Sequence, residues 1–598
     1  MDSPNRTTAQ IGPAKRRDFR PFLQNYPEKG KWYAAAPNGR SRGLPTERNA
    51  VEHKGKIPGR FLEQLQEDVA WRRIDSGLQR LQAQRALVDS CGADQKGGAI
   101  LLGFLSQWVD IGFDRPTLIK QLLTRFPGAS RETLSLLEYV HVRMADGLVA
   151  MSEEEFAKAS KHFAVVLALE DEISDKQVIS IANFWMGRCF RRQGRYEDAL
   201  GYVAKARDLA LRLTYPKMAA VMQVLEGWIA FQEGKPEDAA RILGEAEKVL
   251  ADTDDYVTLG NISSAYGRIA RRQGNYDLAL SSFEKAIELY GKRDPYNRNL
   301  ARSFVNIAFV KRLLALQLRD KIDTQAARFR KKKSSGAAAV PIPKPKGREH
   351  LGRLREEAFE HLTKAREIYD RYDDHRGNGN VSITFGYLYL DNGELDRSAS
   401  VGATAFSLGD EKKDNVLKSR ARILQCAVEC SKYDEQIEEA TRGGPSSQLA
   451  CEFAREAVES AKRTQNRRLI AKAHVALGLA LCLDFSDGLE AARQCADDAA
   501  ALMQSPNHDY VWRELQELKR KLRGAGNINS TLREWSQGIV GGKSFQTVSE
   551  EFAAIVIPKV WRREGCKVAR VAARLSISPK KVRRILRDQG LLSESDNG

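Results

Sequence analysis

Paired cysteines are missing from this chain. Eight cysteines are scattered over 598 residues with no recurring spacing. That excludes a disulfide framework and a thiolate zinc knuckle, and it fits a reducing cytoplasm. Cys426 and Cys430 share a helical face, but no histidine lies close in sequence, so they read as small buried apolar groups. Histidine is as scarce, with eight dispersed residues. His350, Glu357 and His361 fall in one helical region, where a solvated helix face accounts for them. HExxH, nucleophile-elbow and paired-cysteine signatures are absent, so no enzyme, metal or cofactor is expected. No apolar run approaches the roughly 20 residues that span a bilayer, so no membrane partner is expected. The N-terminal basic residues precede no apolar segment of a secretory signal. Gly541-Gly542-Lys543-Ser544 lacks the glycine a phosphate loop needs at position 537, which is Gln, and no strand pattern precedes it.

Positive charge is plentiful. Lys and Arg number 96 against 78 Asp and Glu, a formal net charge of +18. Such a surface favours nucleic acid or another polyanion, although it says nothing about fold. Apolar residues make up 42% of the chain, ample for helical cores.

The strongest pattern is a repeat of 40 residues. Gly147, Gly187, Gly227 and Gly267 keep that spacing, as do Ala159, Ala199, Ala239 and Ala279. Bulky Phe163, Val203, Leu243 and Phe283 follow each alanine by four residues, and Gly194, Gly234 and Gly274 close a turn. In Tyr266 to Tyr290, the turn at Gly274-Asn275 separates two helices, the second carrying Leu280, Phe283, Ile287 and Tyr290 on one face. Each repeat is thus a helical hairpin whose small residues receive large ones.

These repeats resemble the tetratricopeptide repeat (TPR) family, on Gly187, Phe190, Ala199 and Ala206 in one repeat and Gly267, Ala279, Phe283 and Ala286 in another. The resemblance implies an α-solenoid that binds a protein or peptide. The period of 40 exceeds the family's usual 34, and a generic array of helical hairpins obeys the same stacking physics.

Around the register, residues 1–60 mix Pro, Gly and basic residues with Phe19, Phe22, Tyr26, Trp32 and Tyr33. They read as a disordered basic arm, or as an arm that docks on nucleic acid or in the solenoid's groove. Residues 61–130 form an N-terminal helical cap, with Arg60 to about Ala93 one helical pattern. The solenoid covers 131–523. Its fifth repeat is interrupted at 321–350, where Arg328-Phe329-Arg330-Lys331-Lys332-Lys333 and a Pro/Gly-rich run predict an exposed loop between helices at about Leu300–Leu318 and Leu354–Tyr369. Later repeats centre on Gly386, Gly393 and Ala405, on about Val416–Arg463 with a loop at Thr441–Pro445, and on Gly478, Ala491 and Cys495. Asp509–Arg523 reads as a terminal helix, and 524–544 as a linker.

Residues 545–598 change character. Three short helices are predicted: Val548 to Arg563, kinked at Pro558; Val568 to Leu575; and a third from Pro579, with Ser578 as N-cap. Val571, Ala572 and Leu575 can pack on Ile577, Val582, Ile585 and Leu586. Between Lys559 and Arg587 lie eleven basic residues and one acidic, Glu564. That bias suits a helix–turn–helix on duplex DNA, with Lys567, Arg570, Arg574, Ser578, Lys580, Lys581, Arg583, Arg584 and Arg587 as the candidate contacts. A basic solvated three-helix cap is the alternative. The segment resembles the Fis-type DNA-binding domain at the C-termini of many bacterial enhancer-binding regulators. The match runs over Glu550-Glu551-Phe552, Gly565, Ala572, Leu575-Ser576-Ile577-Ser578 and Val582-Arg583-Arg584-Ile585-Leu586. Ser576 replaces the family's usual glycine, and Pro579 a first-turn arginine that often reads a base, which implies an altered sequence preference. The AAA+ ATPase that accompanies this domain in those regulators has no counterpart here.

The expectation is therefore an all-α protein: a TPR-like α-solenoid followed by a small C-terminal three-helix helix–turn–helix domain. Its expected role is that of a bacterial, cytoplasmic, nucleoid-associated regulator. Double-stranded DNA and a protein or peptide ligand are the expected partners, and a homodimer is possible. The competing expectation is a scaffold that holds nucleic acid without sequence choice.

Overall fold

A computed structural model describes residues 55–334, 346–438, 446–483, 488–503, 510–525 and 542–592. Nearly all of the 1–60 arm, most of the 524–544 linker and the Thr441–Pro445 loop lie outside these residues. Among the described residues the chain is all α-helical, with no strand.

Six helices form the N-terminal cap: Gly59–Ala70 (α1), Ile74–Ala83 (α2), Arg85–Ser90 (α3), Gly98–Ile111 (α4), Pro116–Leu123 (α5) and Gly128–Arg131 (α6). The single helical pattern expected from Arg60 to Ala93 is broken into three. Arg72 takes a left-handed conformation, φ 54°, which stops α1. Its Nε donates to Asp255, 183 residues away, at 2.8 Å. That distant buried partner, invisible to local periodicity, helps hold the break. Helix α4 is apolar nearly all round and is buried along most of its length.

Eight hairpins follow. Their helices are Leu136–Ser152 (α7) and Phe156–Ala168 (α8), Lys176–Gln193 (α9) and Tyr196–Arg212 (α10), Pro216–Gln232 (α11) and Pro236–Leu250 (α12), and Tyr256–Arg272 (α13) and Tyr276–Arg293 (α14). Then come Arg298–Ser334 (α15) and Lys346–Arg371 (α16), His375–Asp391 (α17) and Leu395–Glu411 (α18), Asn415–Glu438 (α19) and Ser446–Lys462 (α20), and Arg467–Leu481 (α21) and Gly488–Leu502 (α22). Tyr510–Ala525 (α23) packs on the last pair. This is a TPR-like solenoid.

Two expectations are corrected here. Residues 321–334 and 346–350 are helix, not loop, because α15 and α16 run on past the repeat. Ala, Gln, Lys and Arg are good helix formers, and a run of like charge does not unwind a helix already anchored by its first turns. A Cβ at Gly347 would touch Ile322, so the two extensions lie side by side. In the eighth hairpin Ala491 is exposed, and Ala492 takes the buried small-residue place. The register slips there by one residue because α22 starts at Gly488.

The 40-residue register has a steric cause. A methyl group built at Gly147 would lie 2.2 Å from Phe163, at Gly187 2.5 Å from Val203, at Gly227 2.9 Å from Leu243, and at Gly267 2.7 Å from Phe283. Each bulky side chain fills the notch its glycine leaves on the partner helix. Ala159, Ala199, Ala239 and Ala279 are fully buried beside these contacts. The hairpin turns use the left-handed region: Gly194, Gly234, Gly274 and Gly393 have φ of 82°, 90°, 77° and 78°. Glu154 occupies the same register position in the first hairpin, at φ 63°.

Successive first helices touch one another, as in α11 with α13, α13 with α15 and α17 with α19, whereas second helices pack mainly on first helices. The first helices therefore line the inside of the curve. The solenoid winds tightly enough for consecutive turns to meet. Gln465 N donates to Gly194 O at 2.8 Å, and Gln465 Nε2 to Asp198 at 3.1 Å. Glu154 meets Arg192 of its own neighbourhood and His375 of α17, whose Nε2 lies 3.3 Å from Asp414.

Two outcomes follow from this packing. Ala279→Arg forces a charged side chain into a filled notch; a loss of roughly 3–5 kcal/mol is expected, read as a drop in the thermal midpoint. His141 is fully buried against Phe104, neither ring nitrogen has a hydrogen-bond partner among the described residues, and burial presses its pKa down to about 4. The folded state thus binds its proton less readily than the unfolded chain. Stability contributed by this group is present above pH 6.5 and falls as the pH drops to about 4, by up to roughly 3 kcal/mol. His141→Leu should flatten that part of the stability–pH curve measured by denaturant titration.

Candidate functional site

The C-terminal unit has three helices: Phe545–Arg563 (α24), Val568–Leu575 (α25) and Pro579–Asp588 (α26). Helix α24 begins three residues earlier than expected because Ser544 caps it, accepting from Thr547 N at 3.2 Å. Pro558 sits inside it. Helix α25 has the expected bounds, and α26 starts at the expected Pro579. Ser578 caps α26, accepting from Lys581 N at 3.2 Å, and Pro579 takes the first helical position. The core is Ile557, Val571, Ala572, Val582, Ile585 and Leu586, all buried, with Leu575 and Ile577 packed against it.

Ser576 makes the turn between α25 and α26 with φ 51°, in the left-handed region. A glycine would adopt this conformation without the steric cost that a side chain carries. Lys543 pairs with Glu551 at 2.7 Å, so Gly542, Lys543 and Ser544 serve as the lead-in and cap of α24.

The nine sequence-predicted residues fall on one three-helix unit. Lys580, Lys581, Arg584 and Arg587 are exposed on α26, and Arg583 is half-buried. The spacing of Lys580, Arg583, Arg584 and Arg587 puts them on the helix face opposite Val582, Ile585 and Leu586. Lys567 occupies the position before α25 without a side-chain capping bond, and Arg570 and Arg574 are exposed further along the helix. Two carboxylates engage this surface: Glu550 accepts from Arg584 at 3.0 Å, and Glu564 pairs with Arg574. Both pairs are exposed, so each contributes little to stability.

A second basic surface was not anticipated. It lies on the inner face of the solenoid. Arg188, Arg191 and Arg192 on α9 recur 80 residues later as Arg268, Arg271 and Arg272 on α13, and the repeat register carried this signal. Several are matched by acids: Arg188 by Asp110, Arg192 by Glu154, Arg312 by Asp391 and Arg376 by Asp414. Others rest on aromatic rings. Arg191 lies 4.9 Å from the Trp228 ring centre, Arg271 4.9 Å from Phe309, and Lys472 4.7 Å from Tyr510. Burial opposes ionisation of Asp414, but Arg376 and His375 overcome it and hold the carboxyl well below the usual range.

Cys426 lies in an apolar cluster with Cys430 and Cys451, and the Cys430 contact, then burial, pushes its thiol pKa up. Cys426 therefore stays a neutral packing group. His361 Nδ1 contacts the Glu357 carbonyl within one turn of α16.

Among solved structures, the chain is similar to the apo form of the quorum sensor NprR from B. thuringiensis. Identity is 11%, covering 67% of this chain and 97% of that one, with a TM-score of 0.43. It is also similar to a Rap protein complexed with competence and sporulation factor, at 12% identity over 67% of this chain and 97% of that one, TM-score 0.44. A third is a signal transduction ATPase with numerous domains and a tetratricopeptide repeat sensor, from Pyrococcus horikoshii. It shares 16% identity over 73% of this chain and 63% of that one, TM-score 0.33. No protein-family profile matches the chain, and no curated protein matches it. No helix among the described residues is long and apolar enough to cross a membrane.

The turn at Ser576 gives a direct check. Ser576→Val places a β-branched residue in the left-handed region and should cost about 1–2 kcal/mol. Ser576→Gly should be neutral or stabilising by up to about 1 kcal/mol. Hydrogen exchange of the α25 and α26 amides in the full chain reads both.

Proposed function

We propose that this chain is a bacterial DNA-binding regulator. Its C-terminal helices engage duplex DNA, and its solenoid binds a protein or peptide, or pairs two copies, to control that engagement. The reading is carried by one observation. A short helix that follows a tight left-handed turn presents Lys580, Arg583, Arg584 and Arg587 away from its packed face.

A helix of about ten residues fits the major groove, where a guanidinium can take two acceptors of guanine. Arg583 or Arg584 would read a base. Lys567, Arg570, Arg574, Lys580, Lys581, Arg587 and the Ser578 cap would set the register on phosphates. The exposed pairs Arg584–Glu550 and Arg574–Glu564 cost little to exchange for DNA oxygens. The chemistry proposed is binding alone, in the bacterial cytoplasm at the nucleoid, with no catalytic step and no cofactor.

The test is selection from random duplexes with the full chain, followed by isotherms at two salt concentrations. A selected motif is expected. Arg583→Ala with Arg584→Ala should relax its preference by ~1–3 kcal/mol. Arg570→Ala should weaken all duplexes alike and lower the salt slope by about one unit. Salt-sensitive binding without a motif, with every basic substitution acting alike, would instead favour a scaffold that holds nucleic acid without sequence choice.

A further inference from the structure

The inner face of the solenoid pairs Arg188, Arg192, Arg312 and Arg376 with acids, whereas among the described residues Arg191, Arg268 and Arg302 have none. Arg191 on α9, Arg268 on α13 and Arg302 on α15 are half-buried. Among the described residues no carboxylate pairs with any of them, and the Nε of each is buried with no hydrogen-bond partner. Arg302 Nη2 donates to Asn261 Oδ1 at 2.6 Å and to the Tyr290 hydroxyl at 3.2 Å, both neutral acceptors. Arg191 rests on Trp228. Asp110, Glu154, Asp391 and Asp414 on the same inner surface are already engaged by other arginines.

Arg302 lies close enough to both Arg191 and Arg268 to disfavour their charged forms. Burial, then Arg302 and Arg271, press Arg268 down to about 9; burial and the neighbouring arginines, Arg302 among them, press Arg191 well below its ordinary value. Among the described residues the concave side thus holds three half-buried guanidinium groups with no acid beside them. The chain's own acids match Arg188, Arg192, Arg312 and Arg376, and among the described residues none matches these three.

We propose that Arg191, Arg268 and Arg302 bind a ligand through a phosphate group. A carboxylate brings one charge. A phosphomonoester or diphosphate brings about two or more, with three oxygens that accept from several planar guanidinium forks at once. The group can belong to a free nucleotide or to a phosphorylated side chain of a peptide, and the chemistry at the arginines is the same. This rests on the reading of the solenoid as the ligand-binding part of the regulator and names what it recognises.

The test uses the full chain with Arg570→Ala, Arg574→Ala, Arg583→Ala, Arg584→Ala and Arg587→Ala, which removes the C-terminal arginines proposed to contact DNA. Calorimetric titration is made with pyrophosphate, ATP, a phosphoserine hexapeptide and the same hexapeptide with glutamate. Saturable one-site binding of pyrophosphate is expected, and the tighter of ATP and phosphopeptide identifies the source. Arg268→Met and Arg302→Gln should each weaken binding at least tenfold, whereas Arg241→Ala, exposed on α12, should not. Arg268→Lys keeps the charge and loses the fork, so its intermediate affinity separates lost recognition from misfolding. Without ligand, Arg268→Met should melt higher than its parent, since an unpaired cation is gone. No saturable pyrophosphate binding, equal loss in Arg241→Ala, or equal affinity for the glutamate peptide would overturn the proposal. DNA binding of the unmodified chain, measured in parallel, fails or survives independently of these results.

Discussion

Two helices can close to contact only where one of them yields space. Here the yielding is done by a missing side chain. Gly147, Gly187, Gly227 and Gly267 leave notches that Phe163, Val203, Leu243 and Phe283 fill, and even a methyl group would collide at 2.2–2.9 Å. Interiors packed this closely transmit displacement rather than absorb it. The notch therefore fixes how far each second helix is rotated about its partner, and the next hairpin inherits that rotation. The sixth hairpin varies the device. Gly402 stands at the bulky position, and Leu424 of the following hairpin fills the space beside Gly386.

Repetition of one rotation winds the array, and the winding narrows the inside. Positions that are 40 or 80 residues apart in sequence then share one surface. This brings Arg191 of α9 within electrostatic reach of Arg302 on α15, three hairpins along. Cations at these register positions would be unremarkable on a straight array, where water would screen each one. On the inside of a tight curve they lose water and face one another. The local charge density thus comes from curvature as much as from composition.

The hairpins were legible because their cause is periodic. Glycine, alanine and bulky residues recur at fixed offsets, and the turn glycines follow from backbone sterics alone. The α25–α26 turn was legible for a related reason, since Ser578-Pro579 is a local start signal. What escaped depends on partners distant in sequence. The break at Arg72 is held by Asp255, 183 residues on. The helical reach of α15 and α16 past the repeat was hidden by a run of like charge and proline that suggested a loop. The paired and unpaired arginines of the inner face needed the path of the superhelix, which no single repeat contains.

Glu154 stands where the later hairpins have glycine, in a backbone conformation that side chains rarely adopt. Its carboxylate reaches Arg192 and, across the winding, His375. Nearby, Gln465 bonds to Gly194, 271 residues earlier. An open array of repeats can assemble from any point, each unit needing only its neighbours. This one also has contacts that cannot form until a full turn is complete. Such loops raise the sequence separation of native contacts and slow the final step of assembly. They also bind the fates of distant hairpins together: fraying at α20–α21 removes partners from α9–α10, so the array should unravel as one body rather than peel from its ends.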